Sequence, residues 1–153
     1  MTSTTPSARR RARELVLQGL YQRQLSANAD GVIEQQLLEH DDETAADRDY
    51  LVELWRGVTS RHDELVAMFA PFSARAPAEL SPIERSIIAI GAWELAHRLD
   101  IPYKVVINEA IDLAKAYGGT DGHRFVNGVL DKLAARVRNA EITAPARETG
   151  STR

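Results

Sequence analysis

Residues 81–95 have the sequence SPIERSIIAIGAWEL, which predicts a helix buried at the centre of the protein. Ser81, Pro82 and Glu84 form a capping-box pattern with proline at the first helical position, so we expect the helix to begin there. Beyond this start its apolar residues lie on almost every side, which is typical of a helix surrounded by other helices. Glu94 falls within this apolar surface, where we expect its carboxylate to pair with an arginine or to cap a neighbouring helix.

Helical periodicity continues on both sides of this segment, and no stretch shows the alternation of a half-buried β-strand. The pattern predicts an all-α bundle of about seven helices. The predicted helix starts are Thr5 or Ser7, Asp30, Thr44, the break near Ser60, Ser81, residues 100–102 and residues 118–121. Because the chain ends are polar and rich in Pro, Gly, Ser and Thr, we expect flexible tails at residues 1–6 and 140–153. A single helical domain of residues 7–139 is predicted between them.

Charge is unevenly distributed along the chain. The 153 residues carry a formal net charge of −3, but the first 13 residues contain four arginines and no acid. The remainder holds 15 basic and 22 acidic residues. An acidic body with one basic end indicates a localised anion-binding site, and it argues against a protein that coats polyanions over its whole surface.

Several classes of protein are excluded or disfavoured by composition. The sequence has no cysteine, so disulfides and thiolate metal sites are excluded. The longest apolar run, residues 87–93, is far too short to span a membrane, and no apolar signal core follows the N-terminus. We therefore expect a cytoplasmic protein. The four histidines are scattered, and no nucleophile, phosphate-loop or dinucleotide motif is present, so neither a metal, a cofactor nor a catalytic site is predicted.

The basic end consists of Arg9, Arg10, Arg11 and Arg13, in the first turns of a predicted helix. A helix N-terminus carries partial positive charge, so each exposed cation there costs about 0.3–1 kcal/mol. Arginines and a free helix N-terminus both bind phosphates, which favours a contact with nucleic acid. The alternative is a basic end that is merely solvated.

On a helical wheel, Arg10, Glu14, Leu17 and Tyr21 lie opposite the apolar stripe of this first helix. A tyrosine in line with arginines is suited to single-stranded nucleic acid, because stacking contributes about 1–3 kcal/mol per base. The alternative is that another helix covers Leu17 and Tyr21.

A second candidate site is DGHRFVNG at residues 121–128. Phe125 lies about 100° from the apolar stripe of its predicted helix and beside Arg124, so it is either a second stacking platform or a residue at the edge of the core. Asn127 and Gly128 within a helix predict close packing of another helix.

Four segments of the sequence resemble the NusB family of bacterial transcription antitermination factors. They are RRRARELVLQGLYQ at residues 9–22, SPIERSIIAIGAWEL at 81–95, IPYKVVINEAIDLAKAYG at 101–118 and HRFVNGVLDKLA at 123–134. The resemblance covers nearly all of residues 8–138 and is most specific in the last two segments.

The resemblance implies an all-α fold of two packed helical subdomains. It also implies binding to boxA, a short single-stranded RNA element of ribosomal RNA leader transcripts. A heterodimer with NusE, a small-subunit ribosomal protein, is implied as well, and that pair joins NusA, NusG and RNA polymerase to suppress termination. Whether the free protein is a monomer or a homodimer stays open.

Matched position by position, the resemblance implies an RNA-binding surface. The matching residues are Arg9, Arg10, Arg11, Arg13, Tyr21, Asp121, Arg124 and Phe125. Glu84 matches a position on the NusE-binding side. Two other interpretations remain: a protein-only helical adaptor whose arginines bind an acidic partner, and the RNA-binding domain of a ribosomal RNA cytosine methyltransferase. The second would need a glycine-rich cofactor loop and a catalytic cysteine, and neither is present in this sequence.

Overall fold

The structure, a computed structural model, describes residues 5–40 and 46–143. Over these residues the chain forms α-helices and no β-strand, which confirms the predicted fold class. The helices are α1 (Pro6–Leu25), α2 (Asp30–His40), α3 (Arg48–Ser60), α4 (His62–Phe69), α5 (Pro82–His97), α6 (Tyr103–Tyr117), α7 (Gly122–Val137) and α8 (Asn139–Ile142). Short 3-10 helices at Ala70–Phe72 and Pro77–Glu79 link α4 to α5.

Helix α5 lies at the centre of the molecule, as its sequence predicts. Residues 86–95 are all buried, and α5 packs against α1, α3, α4, α6 and α7. Its start is also as predicted, since the Ser81 hydroxyl accepts a hydrogen bond from the Glu84 amide at 3.0 Å. Helices α1–α3 form one packed group and α4–α7 form the other, and α5 joins the two through its contacts with α1 and α3.

Helix α1 packs on the rest of the protein along a wider face than its wheel predicts. Thr5 caps its N-terminus, with the Ala8 amide donating to the Thr5 hydroxyl at 3.2 Å. Leu17 is only 3% exposed, so the interpretation in which another helix covers this residue is correct for it. Tyr21, one turn later, is 41% exposed and reaches solvent. The predicted exposed face of α1 is therefore divided between the interior and the surface.

Three local predictions are corrected by the structure. Asp47 caps α3 by accepting from the Tyr50 amide at 3.1 Å, whereas the predicted cap, Thr44, lies outside the described residues. Residues 140–142 belong to α8 instead of a tail; the rest of the predicted tails, apart from residues 5, 6 and 143, lies outside the described residues.

The third correction concerns Asn127 and Gly128, on which none of the described helices packs. Both are exposed, and a Cβ built at Gly128 would meet no atom within 4 Å.

Among the residues that the structure describes, no helix has the length and apolar character needed to cross a membrane.

Candidate nucleic-acid interface

Arg10 is the most exposed arginine of the N-terminal run, but two carboxylates hold its guanidinium. Its side chain is 50% exposed, and it donates to Glu109 at 2.8 and 3.0 Å and to Asp112 at 3.1 Å. The hydrogen bond to Glu109, and next the charge of that residue, raise the pKa of Arg10 above its ordinary value. The side chain is thus positioned at the surface by α6, and an anionic ligand would compete with these acids for it.

Arg13 points into the protein, which differs from its predicted place on an RNA-binding surface. Its Nε donates to Glu94 Oε2 at 2.8 Å, and Glu109 lies 3.6 Å from its Nη1. Both Arg13 and Glu94 are almost completely buried. Burial by itself lowers the pKa of Arg13, but Glu94 and its other neighbours raise that pKa overall. The prediction that Glu94 pairs with an arginine is confirmed, and Arg13 has no exposed group with which to contact RNA directly.

Arg9 is held on an aromatic ring that belongs to the same buried cluster. Its guanidinium lies 4.6 Å from the centre of the Tyr50 ring, and its Nε lies 3.7 Å from Asp47 Oδ2. The Tyr50 hydroxyl donates a short hydrogen bond to Glu94, and burial together with this carboxylate raises the pKa of Tyr50. About a quarter of the Arg9 side chain remains exposed. Arg9 is therefore oriented by α3 while part of its charge reaches solvent.

Next to these arginines, the surface opens into a cleft of about 410 Å³. Its lining residues are Arg11, Glu14, Leu17, Gln18, Tyr21, Ile83 and Tyr117. Two tyrosines contribute the exposed aromatic surface, since Tyr21 is 41% and Tyr117 is 50% exposed. Arg11 is partly exposed at the cleft and lies 3.3 Å from Glu14. The structure thus brings a cation and two aromatic rings to one concave surface.

Tyr117 was not identified from the sequence. It lies in the last turn of α6, immediately before Gly118, and outside the buried set of that helix. The sequence did offer one signal, since Tyr117 is an aromatic residue that lies at the end of a helix and off its apolar stripe, as an exposed ring would. What the sequence did not show is that Tyr117 lines the same cleft as Tyr21, because the two residues are 96 positions apart and belong to different helices.

The start of α7 packs on α5 next to a residue that lines this cleft. Ile83 lines the cleft, and the next residue, Glu84, packs so closely on Gly122 that a Cβ there would lie 2.8 Å from its carboxylate. Asp121 has a left-handed backbone with φ of 65°, and its exposed carboxylate lies 3.7 Å from the exposed Arg124 guanidinium. Asp121 and Arg124 therefore pair with each other and are both accessible to a ligand at the surface.

Phe125 is less accessible than a stacking platform requires. It packs against the hydrophobic core, and the Arg75 guanidinium lies 4.2 Å above its ring. Arg75 also pairs with Glu84 at 3.3 Å, and Glu84 is only 8% exposed. Phe125 therefore has the character of a core-edge residue, and a base would have to displace Arg75 to stack on it.

The sequence that carries this surface matches a known protein family over most of its length. Residues 10–135 match the model of the NusB family. The chain belongs to the NusB family. It is 55% identical to the transcription antitermination protein NusB of Aromatoleum aromaticum over 141 residues, which are 92% of this chain and 97% of the relative. It is 57% identical to the NusB of Azoarcus sp. over 138 residues, with 90% and 89% covered.

Solved structures of NusB proteins share the fold. T. maritima NusB superposes with a TM-score of 0.77 at 31% sequence identity, over 88% of this chain and 94% of that one. A crystal structure of the antitermination factors NusB and NusE in complex with double-stranded RNA superposes with a TM-score of 0.76 at 22% identity, over 85% and 98% of the two chains. Transcription antitermination is the function for which the curated NusB relatives are named.

Proposed function

We propose that this protein is a non-catalytic, cytoplasmic antitermination factor that binds single-stranded boxA RNA together with the ribosomal protein NusE. The observation that carries the RNA part of the proposal is the cleft that Arg11, Tyr21 and Tyr117 line together. Single-stranded RNA offers unpaired bases to aromatic rings and phosphates to arginines, and this surface has both types of side chain.

In this proposal the exposed arginines and the buried arginine have different roles. Arg9, Arg10 and Arg11 reach the surface and contact phosphates, assisted by the N-terminus of α1. Arg13 is left out of the contact set, because its buried pair with Glu94 fixes the turn from which the others project. At the start of α7, Asp121 and Arg124 are proposed to contact the ribose, phosphate or base edges.

Partner binding is proposed for the surface around Glu84. The NusB and NusE structure with RNA shows that a protein of this fold assembles with NusE, which supports the same partnership here. Because the Glu84 carboxylate pairs with the half-exposed Arg75, a partner that replaces Arg75 would meet both a charge and the Phe125 ring. NusA, NusG and RNA polymerase are proposed as the further components of the antitermination complex.

The RNA proposal is tested by titrating fluorescent boxA RNA and a scrambled RNA of equal length with the protein, with and without NusE. We expect tighter binding to boxA and a further gain with NusE. If three arginines neutralise phosphates, log K falls with log salt at a slope of about −2.

Each alternative gives a different result in the same titration. Equal binding to both RNAs in both conditions would favour the protein-only adaptor. Preference for a double-stranded version of the same RNA would contradict stacking of unpaired bases on the cleft. An affinity that does not depend on salt would exclude the arginine site.

A further inference from the structure

Gly128 occupies an unusual position in the middle of α7. It lies six residues after the first residue of a 16-residue helix, and a Cβ at this position would meet nothing within 4 Å in the described structure. Its φ is not positive, so the backbone does not require glycine. Glycine in a helix interior costs about 0.5–1 kcal/mol relative to alanine. The fold of the described residues gives no reason for this cost.

Glycines in the interior of other described helices have an internal reason, whereas Gly31, in the first turn of α2, shares the open surroundings of Gly128. A Cβ at Gly91 would lie 2.8 Å from Leu130, and one at Gly122 would lie 2.8 Å from Glu84, so both allow close packing within the chain. At Gly128 the space where a Cβ would stand is open to solvent. A bare backbone on an exposed helix face is useful when a molecule from outside approaches that backbone closely.

The charges around Gly128 indicate what kind of molecule would approach this exposed backbone. Helix geometry places Arg124 one turn before Gly128 and Lys132 one turn after it, on the same face and about 12 Å apart along the axis. Both cations are exposed, and Lys132 forms no ion pair with any described residue. Asp121 and Asp131 lie on the same side of the helix, so binding there depends on the placement of the cations more than on net charge.

We infer that an RNA strand continues along α7 from Arg124 to Lys132 and that its backbone approaches the main chain at Gly128 more closely than a Cβ would permit. This inference rests on the proposed function, because the face begins at Arg124, which the proposed function assigns to RNA. The two cations bind phosphates on either side of the bare backbone, and Gly128 provides the clearance between them.

The decisive variant is Gly128→Ala, because its expected effects on stability and on RNA affinity have opposite signs. Alanine is the better helix former and meets no atom in the free protein, so the urea midpoint of unfolding is expected to rise. The dissociation constant for boxA RNA in the presence of NusE is expected to rise at least five-fold. Gly31→Ala is the matched control: its Cβ also meets nothing, and α2 supplies no residue of the proposed surface. It should leave RNA affinity unchanged.

A second variant tests the path of the strand by charge. Lys132→Gln is expected to weaken RNA binding and to make the salt slope shallower by about 0.7. An unchanged RNA affinity in both Gly128→Ala and Lys132→Gln would overturn the inference. If Gly128→Ala weakens NusE binding in the absence of RNA, the face belongs to a protein partner and the inference is wrong.

The proposed function is judged separately. If Tyr21→Ala loses RNA affinity while the two α7 variants do not, the cleft binds RNA and only the extension along α7 fails. If the wild-type protein binds no RNA with or without NusE, both proposals fail.

Discussion

Neighbouring arginines of one helical run occupy different environments in this protein. Arg10 is held at the surface by Glu109 and Asp112, whereas Arg13, almost one turn later, is buried against Glu94. A buried charge is tolerated only when it is paired and hydrogen-bonded, and Glu94 meets that need. The interior pair therefore anchors the turn that presents the exposed arginines.

At the same scale, Tyr21 provides the most direct test of stacking. We expect Tyr21→Ala to weaken boxA binding about 5- to 150-fold, because a stacked ring contributes about 1–3 kcal/mol per base. Tyr21→Phe keeps the ring and should retain most of the affinity. Leu25→Ala, an exposed position one turn later that does not line the cleft, is the control for a general effect on α1. Equal affinity of wild type and Tyr21→Ala in a fluorescence titration would show that Tyr21 does not stack.

Asp112 is expected to restrain RNA binding. It lies 3.1 Å from Arg10 and partly neutralises it, so Asp112→Asn should strengthen RNA binding by roughly two- to five-fold at low salt. Asp63→Asn on α4 removes the same charge from a fully exposed position and serves as the control for net charge. A gain in affinity of the same size in both variants, measured by the same titration, would mean that Arg10 has no special part in the contact.

At the scale of helices, the packing of α3 on α5 depends on a small residue. Gly57 on α3 faces the indole ring of Trp93 on α5, and a Cβ at Gly57 would overlap that ring. Two helices approach this closely only where one of them lacks a side chain, so the spacing of α3 and α5 is set at this point.

Gly57→Ala is therefore expected to destabilise the protein, although alanine favours the helix. Overpacking of this kind costs about 1–3 kcal/mol, which exceeds the gain of about 1 kcal/mol in helix propensity. Urea unfolding followed by circular dichroism measures the change. The effect should have the opposite sign to that of Gly128→Ala, and a stabilised Gly57→Ala protein would contradict the packing described here.

For the whole molecule, α5 makes the two helical groups parts of one core. Trp55 on α3 and Trp93 on α5 are both buried in this core, and each helix packs against α5 or against a neighbour that does. A core shared in this way favours a single cooperative unfolding transition.

We expect each tryptophan to report the same unfolding as the helices do. In Trp55→Phe and in Trp93→Phe, the fluorescence of the remaining tryptophan and the far-ultraviolet circular dichroism should give the same urea midpoint. The comparison is made within each variant, so a loss of stability on substitution does not affect it. Separate midpoints in either variant would show that the two helical groups unfold independently.

Local signals in the sequence were sufficient for helices α1–α7 and their order, but not for the short α8, whose residues 140–142 are predicted as part of a tail. Ser81 and Pro82 mark the start of α5 because the cap acts on amides two to three residues away, and Gly118 ends α6 in the same local manner. The prediction for Thr44 differs from the cap observed at Asp47, since both residue types suit a cap and the choice depends on the contact of Asp47 with Ala8 in α1.

The sequence by itself determined that this protein is a bundle of helices with a basic end, because helical periodicity and capping act within a few residues. Only the tertiary structure decided which parts of that end can bind a ligand. Arg13 pairs with Glu94, 81 positions away, and turns inward; Leu17 is covered, and Tyr21 lines an open cleft together with Tyr117. These outcomes depend on the packing of α5 and α6 against α1, and a helical wheel of α1 contains no information about its neighbours.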